Sequence, residues 1–303
     1  MSMPENPDQN LRIWINGSLQ PPENALISVF DSGFVLGDGV WEGLRVVKGQ
    51  PVFLEAHLDR LFEGAAALAL AIGASREELA RAVYETIEEN DLVDDAHLRV
   101  MVTRGIRTQP YQDPRLIEGG STIVIIPGHH PVTDEMRTHP LTLFTVHVRR
   151  GYPDVQDPGI NSHSKLNCIT ACIQAAEAGA DEALMLDPHG FVATCNSTHF
   201  FIVRQGQVWT STGNYCLKGI TRGHVLDLCR ENDIACQERT FSLTEVYGAE
   251  EAFITGTLTG LKPVGKIDGR TIGTGQRGRV THRLQELYDQ RIRDDAVARR
   301  SRS

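Results

Sequence analysis

Lysine is scarce in this chain, so the amines that could react with a carbonyl compound can be considered one by one. Of 30 basic residues only five are lysine, at positions 48, 165, 218, 262 and 266. Four have ordinary explanations, because they lie in or beside predicted turns, a Pro-Val strand and a helix start. Lys165 alone enters a predicted helix among small polar residues. A solitary lysine is more often a solvated cation, so Lys165 needs support from other motifs.

Two glycine-containing loops could together bind one phosphate group. Gly219-Ile220-Thr221 at a predicted helix start offers backbone N–H groups and the positive end of a helix dipole. The segment 256–259, Gly-Thr-Leu-Thr, forms a second small loop after a predicted strand. Each loop alone is typical of ordinary capping. An aldehyde cofactor with a phosphate arm needs one amine, an anion-binding loop and a group near its ring nitrogen, and Lys165 with these loops could supply the first two.

Composition limits the classes of function. The chain has 303 residues, 41% hydrophobic and 23% charged, which is enough for one large or two medium globular domains. A net charge of -9 without a sustained basic run argues against nucleic acid or an anionic membrane as a partner. Six cysteines without paired CxxC spacing, and an N-terminus without a basic segment followed by an apolar stretch, predict a cytoplasmic protein.

The elements that must position these residues fall into two halves. Strands with hairpin turns at Asn16-Gly17 and Lys48-Gly49 open the chain. Helices are predicted from 55 to 72 and from Ser75, where a capping box begins. We predict a small N-terminal α+β domain over 1–127, a linker over 128–140 and a larger, barrel-like C-terminal α/β domain over 141–303 that binds the cofactor.

The second half combines helices with short strands. After Lys165 a helix is predicted, with apolar residues at helical spacing and a stop at Gly179. A β-meander is predicted over 182–211, then a helix over 219–232. A strand over 252–255, a hairpin at Asp268-Gly269 and a helix over 276–293 complete the pattern.

The order of motifs resembles the class IV, or fold type IV, pyridoxal-phosphate enzymes, namely branched-chain and D-amino-acid aminotransferases and aminodeoxychorismate lyases. The resemblance covers nearly the whole chain. Its segments are Gly37-Asp-Gly-Val-Trp-Glu-Gly-Leu-Arg45, Phe53-Leu-Glu-Ala-His-Leu-Asp-Arg-Leu61, Ser164-Lys-Leu-Asn167, Asp181-Glu-Ala-Leu184, Leu217-Lys-Gly-Ile-Thr-Arg222 and Gly256-Thr257. Their occurrence in the correct order is far more specific than any single match. The resemblance implies pyridoxal 5'-phosphate as cofactor and a homodimer in which a partner loop completes each active site.

The resemblance also implies roles for individual residues. Lys165 would be the Schiff-base lysine and would move the proton at the substrate α-carbon. Arg60, in the spacing His57-x-x-Arg60, would bind the cofactor phosphate, although a solvated helix cation is the ordinary interpretation of such an arginine. Leu217 would pack against the pyridine ring. The phosphate-binding loops would be completed by Gly219, Ile220, Thr221, Gly256 and Thr257.

One departure from the family pattern concerns the ring nitrogen. The family has a glutamate that pairs with this nitrogen, and this chain has Thr194 there. A neutral hydroxyl can form a hydrogen bond but cannot replace the charge, so the pyridinium form would lose about 1.5 to 3 kcal/mol. His199 replaces a family asparagine and would be either a partner of the ring or an ordinary strand histidine. We therefore hypothesise an aminotransferase with a weakened electron sink.

The sequence is less informative about the substrate. Arg45, Arg104 and Arg107 could each bind a carboxylate, and Leu36 and Trp41 fall where the family builds a side-chain pocket. These residues would suit a small or branched amino acid and a 2-oxo acid.

Three interpretations remain open: an aminotransferase, a lyase that releases pyruvate or ammonia through the same lysine, and a cofactor-binding protein whose catalysis has decayed. Retention of Lys165 argues against the third. A metal site is not expected, because Cys168 and Cys172 in an Ala-rich helix are typical small hydrophobic residues.

Overall fold

The computed structural model describes residues 8–300. Its helices are α1 (Ser32–Leu36), α2 (Leu54–Ala67), α3 (Arg76–Glu89), α4 (Asp134–Thr138), α5 (Leu166–Glu177), α6 (Ile220–Glu231), α7 (Leu243–Tyr247) and α8 (Arg279–Arg300), with 3-10 turns at Pro22–Asn24 and Pro114–Leu116. None of these helices combines the length and the apolar character needed to cross a membrane.

The strands are mostly short. They are β1 (Ile13–Ile15), β2 (Ser18–Gln20), β3 (Gly39–Val47), β4 (Gln50–Pro51), β5 (Ala96–Thr103), β6 (Ile106–Arg107), β7 (Ile117–Glu118), β8 (Thr122–His129), β9 (Leu141–Thr145), β10 (Glu182–Leu186), β11 (Val192–Cys195), β12 (His199–Arg204), β13 (Gln207–Thr210), β14 (Cys236–Glu238), β15 (Glu251–Gly256), β16 (Gly260–Ile267) and β17 (Arg270–Thr271).

The chain divides into two compact units. Within the described residues, unit 1 comprises 8–131, 160–164 and 292–300, and unit 2 comprises 132–159 and 165–291. The first division falls inside the linker predicted at 128–140. Two later segments, 160–164 and 292–300, group with unit 1 rather than with the C-terminal part. The domain limits drawn from the sequence stay a prediction.

Unit 1 is built on an antiparallel sheet in the order β2-β1-β8-β5-β3-β4. The predicted hairpins at 16–17 and 48–49 are present, and all four turn residues have positive φ, from 46° to 98°, as tight two-residue hairpins require. From Val40 onward strand β3 alternates, with Val40, Leu44 and Val46 in the core beside α2 and α3. Trp41 and Arg45 consequently lie on the opposite face.

Local chemistry sets the start of α3 and the end of α2 in unit 1. The Ser75 hydroxyl accepts from the Glu78 N–H, and the Glu78 carboxylate accepts from the Ser75 N–H, so the predicted capping box is confirmed. Helix α2 ends at Ala67 instead of the predicted residue 72, because Ala69 takes a positive φ of 48° that ends helical hydrogen bonding.

Unit 2 contains a nine-stranded mixed sheet, with the order β11-β10-β9-β16-β15-β12-β13-β14 and β17 attached to β16. Helices α5 and α6 each connect parallel neighbours, β9 to β10 and β13 to β14. The predicted meander over 182–211 is wrong. It is two hairpins, and β9, β16 and β15 lie between β10 and β12 in the sheet.

Helix α5 packs its smallest residues against the sheet. Ala171 and Ala175 are buried beside Val146, Ala183 and Met185. The larger apolar residues at helical spacing are exposed on the other side of the helix, at 75% for Leu166, 53% for Ile169 and 52% for Ile173. The predicted helix and its stop at Gly179 are present, and the close approach of α5 to the sheet follows from its alanines.

Candidate active site

The candidate nucleophile Lys165 lies at the N-cap of α5 and is half-buried. The chain begins its helix directly after this residue, so the lysine backbone is held by the first turn, where the Lys165 carbonyl accepts from the Ile169 N–H at 2.9 Å. No side-chain cap bond is made at this end. The lysine is therefore attached to a rigid element, as a reactive group requires.

Arg150 connects the start of α5 to the loop that precedes α6. Its Nε donates to the Tyr215 carbonyl at 3.2 Å, and its Nη1 donates to Asn167 Oδ1 and lies 3.2 Å from Cys168 Sγ. The Asn167 amide in turn donates to the Arg149 carbonyl at 2.9 Å. The first turn of α5 and the loop to α6 are thus fixed to one another within unit 2. Arg150 could not be identified from the sequence, since nothing local distinguishes it from the neighbouring Arg149.

The loop to α6 has the features of an anion-binding helix start. Gly219 is the N-cap residue and has no side chain to cap with, so the first-turn N–H groups of Ile220 and Thr221 can reach an outside acceptor. A Cβ at Gly219 would lie 2.3 Å from His199 Cε1, so only glycine fits here. The Thr221 hydroxyl lies 3.1 Å from the Tyr288 hydroxyl. Leu217 and Gly219 therefore both lie next to the ring of His199.

His199 has a defined orientation. Its Nε2 lies 2.6 Å from the Leu217 carbonyl oxygen, and because a carbonyl oxygen can only accept, Nε2 carries the proton. In the sheet His199 stands directly opposite Thr255, the residue before Gly256-Thr257. The two predicted phosphate-binding loops therefore flank one strand pair.

Thr255 carries an unsatisfied polar atom. Its side chain is fully buried, and its Oγ1 has no hydrogen-bond partner within residues 8–300. A buried hydroxyl without a partner costs free energy, so this position would gain from a polar ligand nearby. Together with the first-turn N–H groups of α6, which have no side-chain cap, this hydroxyl fits a phosphate-bearing group.

Thr194 and Glu182 form a polar cluster at the turn between β11 and β12. Thr194 is 5% exposed, and its hydroxyl donates to the Thr198 carbonyl at 2.8 Å. Glu182 Oε1 accepts from the Ser197 N–H at 3.1 Å and from the Ser197 and Thr198 hydroxyls, each at 2.9 Å. Burial raises the pKa of Glu182, although these hydrogen bonds oppose the shift. From the sequence, Glu182 was noted only as part of the family segment Asp181-Glu-Ala-Leu184.

Cys195, next to this cluster, is buried. Burial raises the pKa of the Cys195 thiol well above its ordinary value, and the Glu182 carboxylate adds to the shift. Among the described residues, no group of three or more His, Cys, Asp and Glu side chains could hold a metal ion.

In unit 1, Arg60 belongs to a buried ionic cluster. Glu42 Oε1 accepts from Arg60 Nε, and Glu42 Oε2 accepts from Arg60 Nη2, both at 2.7 Å. His57 Nδ1 lies 2.6 Å from the same Oε2. Burial would raise the pKa of Glu42, but the bonds from His57 and Arg60 bring it below its ordinary value. Burial lowers the pKa of His57, which favours the neutral form of the ring.

The arginines predicted to bind substrate have different environments. Arg104 pairs with Asp38 at 2.7 and 3.0 Å and donates to the Ala69 and Leu68 carbonyls, which occupies four of its five N–H groups. Arg107 is buried and donates to Asp38 at 3.2 Å. Both arginines hold the segment around Asp38 in this structure, and their role toward a substrate stays a prediction.

The outer face of β3 carries the remaining predicted residues of unit 1. Trp41 donates from Nε1 to the Ser162 carbonyl at 3.1 Å, and the Arg99 guanidinium lies 4.2 Å from its ring centroid. Arg45 follows on the same face, half-buried. Leu36 ends α1 and is half-buried. Arg99 could not be identified from the sequence, because its position opposite Gly43 depends on the long-range pairing of β3 with β5.

Comparison with known proteins agrees with this geometry. Residues 39–267 match the family model of amino-transferase class IV. The chain is 39% identical over 287 residues to branched-chain-amino-acid aminotransferase-like protein 2 of Arabidopsis thaliana, which covers 95% of this chain and 51% of that protein. It thus spans about half the length of this relative. It is also 39% identical to a putative branched-chain-amino-acid aminotransferase of Methanocaldococcus jannaschii, covering 92% of this chain and 95% of that one.

The fold has a counterpart among solved structures. The branched-chain aminotransferase of the thermophilic archaeon Thermoproteus uzoniensis, solved with norvaline, superimposes with a TM-score of 0.83 at 28% identity, covering 92% of this chain and 93% of that chain. The predicted fold type IV architecture is therefore confirmed. With the family match over most of its length, the chain belongs to the class IV aminotransferase family.

Proposed function

We propose that the protein is a pyridoxal-phosphate-dependent aminotransferase that moves an amino group between a small or branched amino acid and a 2-oxo acid. The main support for this proposal is the pair of hydrogen bonds from Arg150. They fix the start of α5, with Lys165, to the loop that opens α6. An amine and an anion-binding helix start at one fixed separation suit an aldehyde cofactor with a phosphate arm. The names of the similar proteins support the same class.

Each residue of the candidate site would have its own role toward the cofactor. When bound, the cofactor would supply an aldehyde for amine exchange and a ring that delocalises negative charge. Lys165 would hold it covalently and carry the proton at the substrate α-carbon. The first-turn N–H groups of α6, the Gly256-Thr257 loop and Arg60 would bind the phosphate. Leu217 would pack on the ring, with Thr194 and His199 near its nitrogen.

Assembly as a homodimer in the cytoplasm is part of the proposal. Two surfaces support the assembly, each within its own unit. One is the exposed stripe of α5, formed by the apolar side chains of Leu166, Ile169 and Ile173. The other is a run of exposed apolar side chains in unit 1, made up of Leu26, Ile27, Val29, Phe30 and Phe34. Apolar patches of this kind mark interaction sites in soluble proteins.

The test uses spectra of the purified full-length protein with cofactor. We expect amino donors to convert the absorbance of the bound aldehyde into that of the aminated cofactor, and a 2-oxo acid to reverse the change. Release of pyruvate without an acceptor would favour the lyase. A spectrum unchanged by every donor would contradict both enzyme activities and favour a cofactor-binding protein.

A further inference from the structure

The ionic cluster of unit 1 contains a carboxylate that no role yet explains. Glu42 is 1% exposed and lies on the core side of β3, between Val40 and Leu44. Moving a charge into such a place costs several kcal/mol unless partners compensate fully. A hydrophobic residue would fill this core position at lower cost, so the presence of a carboxylate here calls for a function.

The geometry fixes the guanidinium of Arg60 in one orientation. Both Glu42 oxygens accept from it at 2.7 Å, on Nε and Nη2, which is the two-point clasp that defines a guanidinium plane. These two bonds use Nε and Nη2 and do not involve Nη1, and the Arg60 side chain keeps 13% exposure whereas that of Glu42 keeps 1%.

His57 holds the carboxylate in turn. Its Nδ1 donates to Glu42 Oε2 at 2.6 Å from one turn earlier in α2, so the carboxylate is held by the imidazole as well as by Arg60. Arg60 and His57 lie three residues apart on one face of the helix, which explains why both reach the same carboxylate.

We propose that Glu42 is a positioning residue, which orients Arg60 for a phosphate monoester through its two-point clasp. The inference rests on the proposed function, in which Arg60 binds the cofactor phosphate. Two physical effects compete when the charge of Glu42 is removed. Loss of the clasp lets the guanidinium rotate and weakens phosphate binding, while loss of the negative charge increases the positive potential and strengthens it. If Glu42 acts by positioning Arg60, the weakening of phosphate binding must be larger than the strengthening.

The experiment compares pyridoxal 5'-phosphate with pyridoxal, which lacks the phosphate. Dissociation constants of both are measured by absorbance titration of full-length protein freed of cofactor, as wild type and as Glu42→Gln. We expect the substitution to weaken pyridoxal 5'-phosphate about 10-fold, the size typical when a partner that orients a binding group is removed. Pyridoxal should change less than about 2-fold. The ratio of the two constants is insensitive to any fraction of unfolded protein, because unfolding affects both alike.

The matched control is Asp59→Asn. Asp59 precedes Arg60 in α2 and pairs with Arg76 on the surface, so this variant also removes a carboxylate from an arginine pair but should leave the ratio unchanged. Arg60→Lys keeps the charge and loses the fork, and should reproduce the selective loss. Equal weakening of both aldehydes, or tighter binding of pyridoxal 5'-phosphate by Glu42→Gln, would overturn the inference. A wild type that binds neither compound would instead refute the proposed function, and the inference with it.

Discussion

The hydroxyl of Thr194 donates its hydrogen to the backbone carbonyl oxygen of Thr198, 2.8 Å away. A carbonyl oxygen has no proton to give, so the direction of this bond is fixed. Only the lone pairs of Thr194 Oγ1 remain for another group. A ring nitrogen bound beside Thr194 could form a hydrogen bond with these lone pairs only by carrying the proton itself.

We predict that Thr194→Val lowers the fraction of protonated ring nitrogen, because valine offers no acceptor. It should also lower the free energy of unfolding by about 1–3 kcal/mol, since the Thr198 carbonyl loses its buried donor. The ¹⁵N chemical shift of the ring nitrogen in labelled, bound cofactor measures the first effect and urea unfolding the second. Thr194→Ser keeps the hydroxyl and is the control. An unchanged nitrogen shift in the valine variant would refute this role of Thr194.

Gly219→Ala should damage the start of α6. The added Cβ would lie 2.3 Å from His199 Cε1, and either the ring or the helix start must move. We expect a loss of about 1–3 kcal/mol in the free energy of unfolding, together with weaker cofactor binding.

Gly223→Ala provides the control in the same helix. A Cβ there meets no atom within 4 Å, so alanine should stabilise α6 by up to about 1 kcal/mol through its higher helix propensity. Thermal unfolding of Gly219→Ala and Gly223→Ala measures the change in stability of each variant. Equal behaviour of the two variants would mean that the contact between Gly219 and His199 does not constrain the loop.

Glu182 should make stability depend on pH. Its pKa is raised in the folded protein, so it contributes stability below the ordinary value of 4.5 that is lost as the pH rises through the folded pKa. Glu182→Gln removes this titration and keeps an acceptor for Ser197 and Thr198. We predict that the variant gains stability relative to wild type at pH 8 but not at pH 4. Urea unfolding at both values tests this, and a difference that is constant with pH would contradict it.

The exposed stripe of α5 should contribute to self-association. Ile169→Glu places a charge at the middle of this stripe, where Ile169 is 53% exposed, and should shift the protein toward monomer in sedimentation equilibrium. Val93→Glu changes a single exposed apolar residue elsewhere, at 60% exposure, and should leave the association unchanged. A protein that is monomeric at every concentration in the wild type would refute the proposed homodimer.

Local signals in the sequence were sufficient for the features that depend on near neighbours. The capping box of Ser75 and Glu78 joins residues three apart, and the hairpin at Lys48-Gly49 depends only on its own φ angles. Such contacts form from residues adjacent in the chain, so their residue types predict them.

Long-range pairing was not predictable in the same way. The expected meander was wrong because β12 pairs with β15, a strand from much later in the chain, instead of with β11. The role of Asp38 as partner of Arg104, 66 residues away, also depends on the fold. Alternation of apolar residues specifies which face of a strand is buried but not which strand lies beside it.

The most direct test of the account is borohydride reduction of cofactor-loaded protein, followed by peptide mass mapping. With only five lysines, at 48, 165, 218, 262 and 266, every possible attachment can be distinguished. We predict the reduced cofactor on Lys165 alone, and no attachment in Lys165→Ala. A label on any other lysine, or a fully loaded protein with Lys165 unmodified, would contradict the assignment on which the proposed function depends.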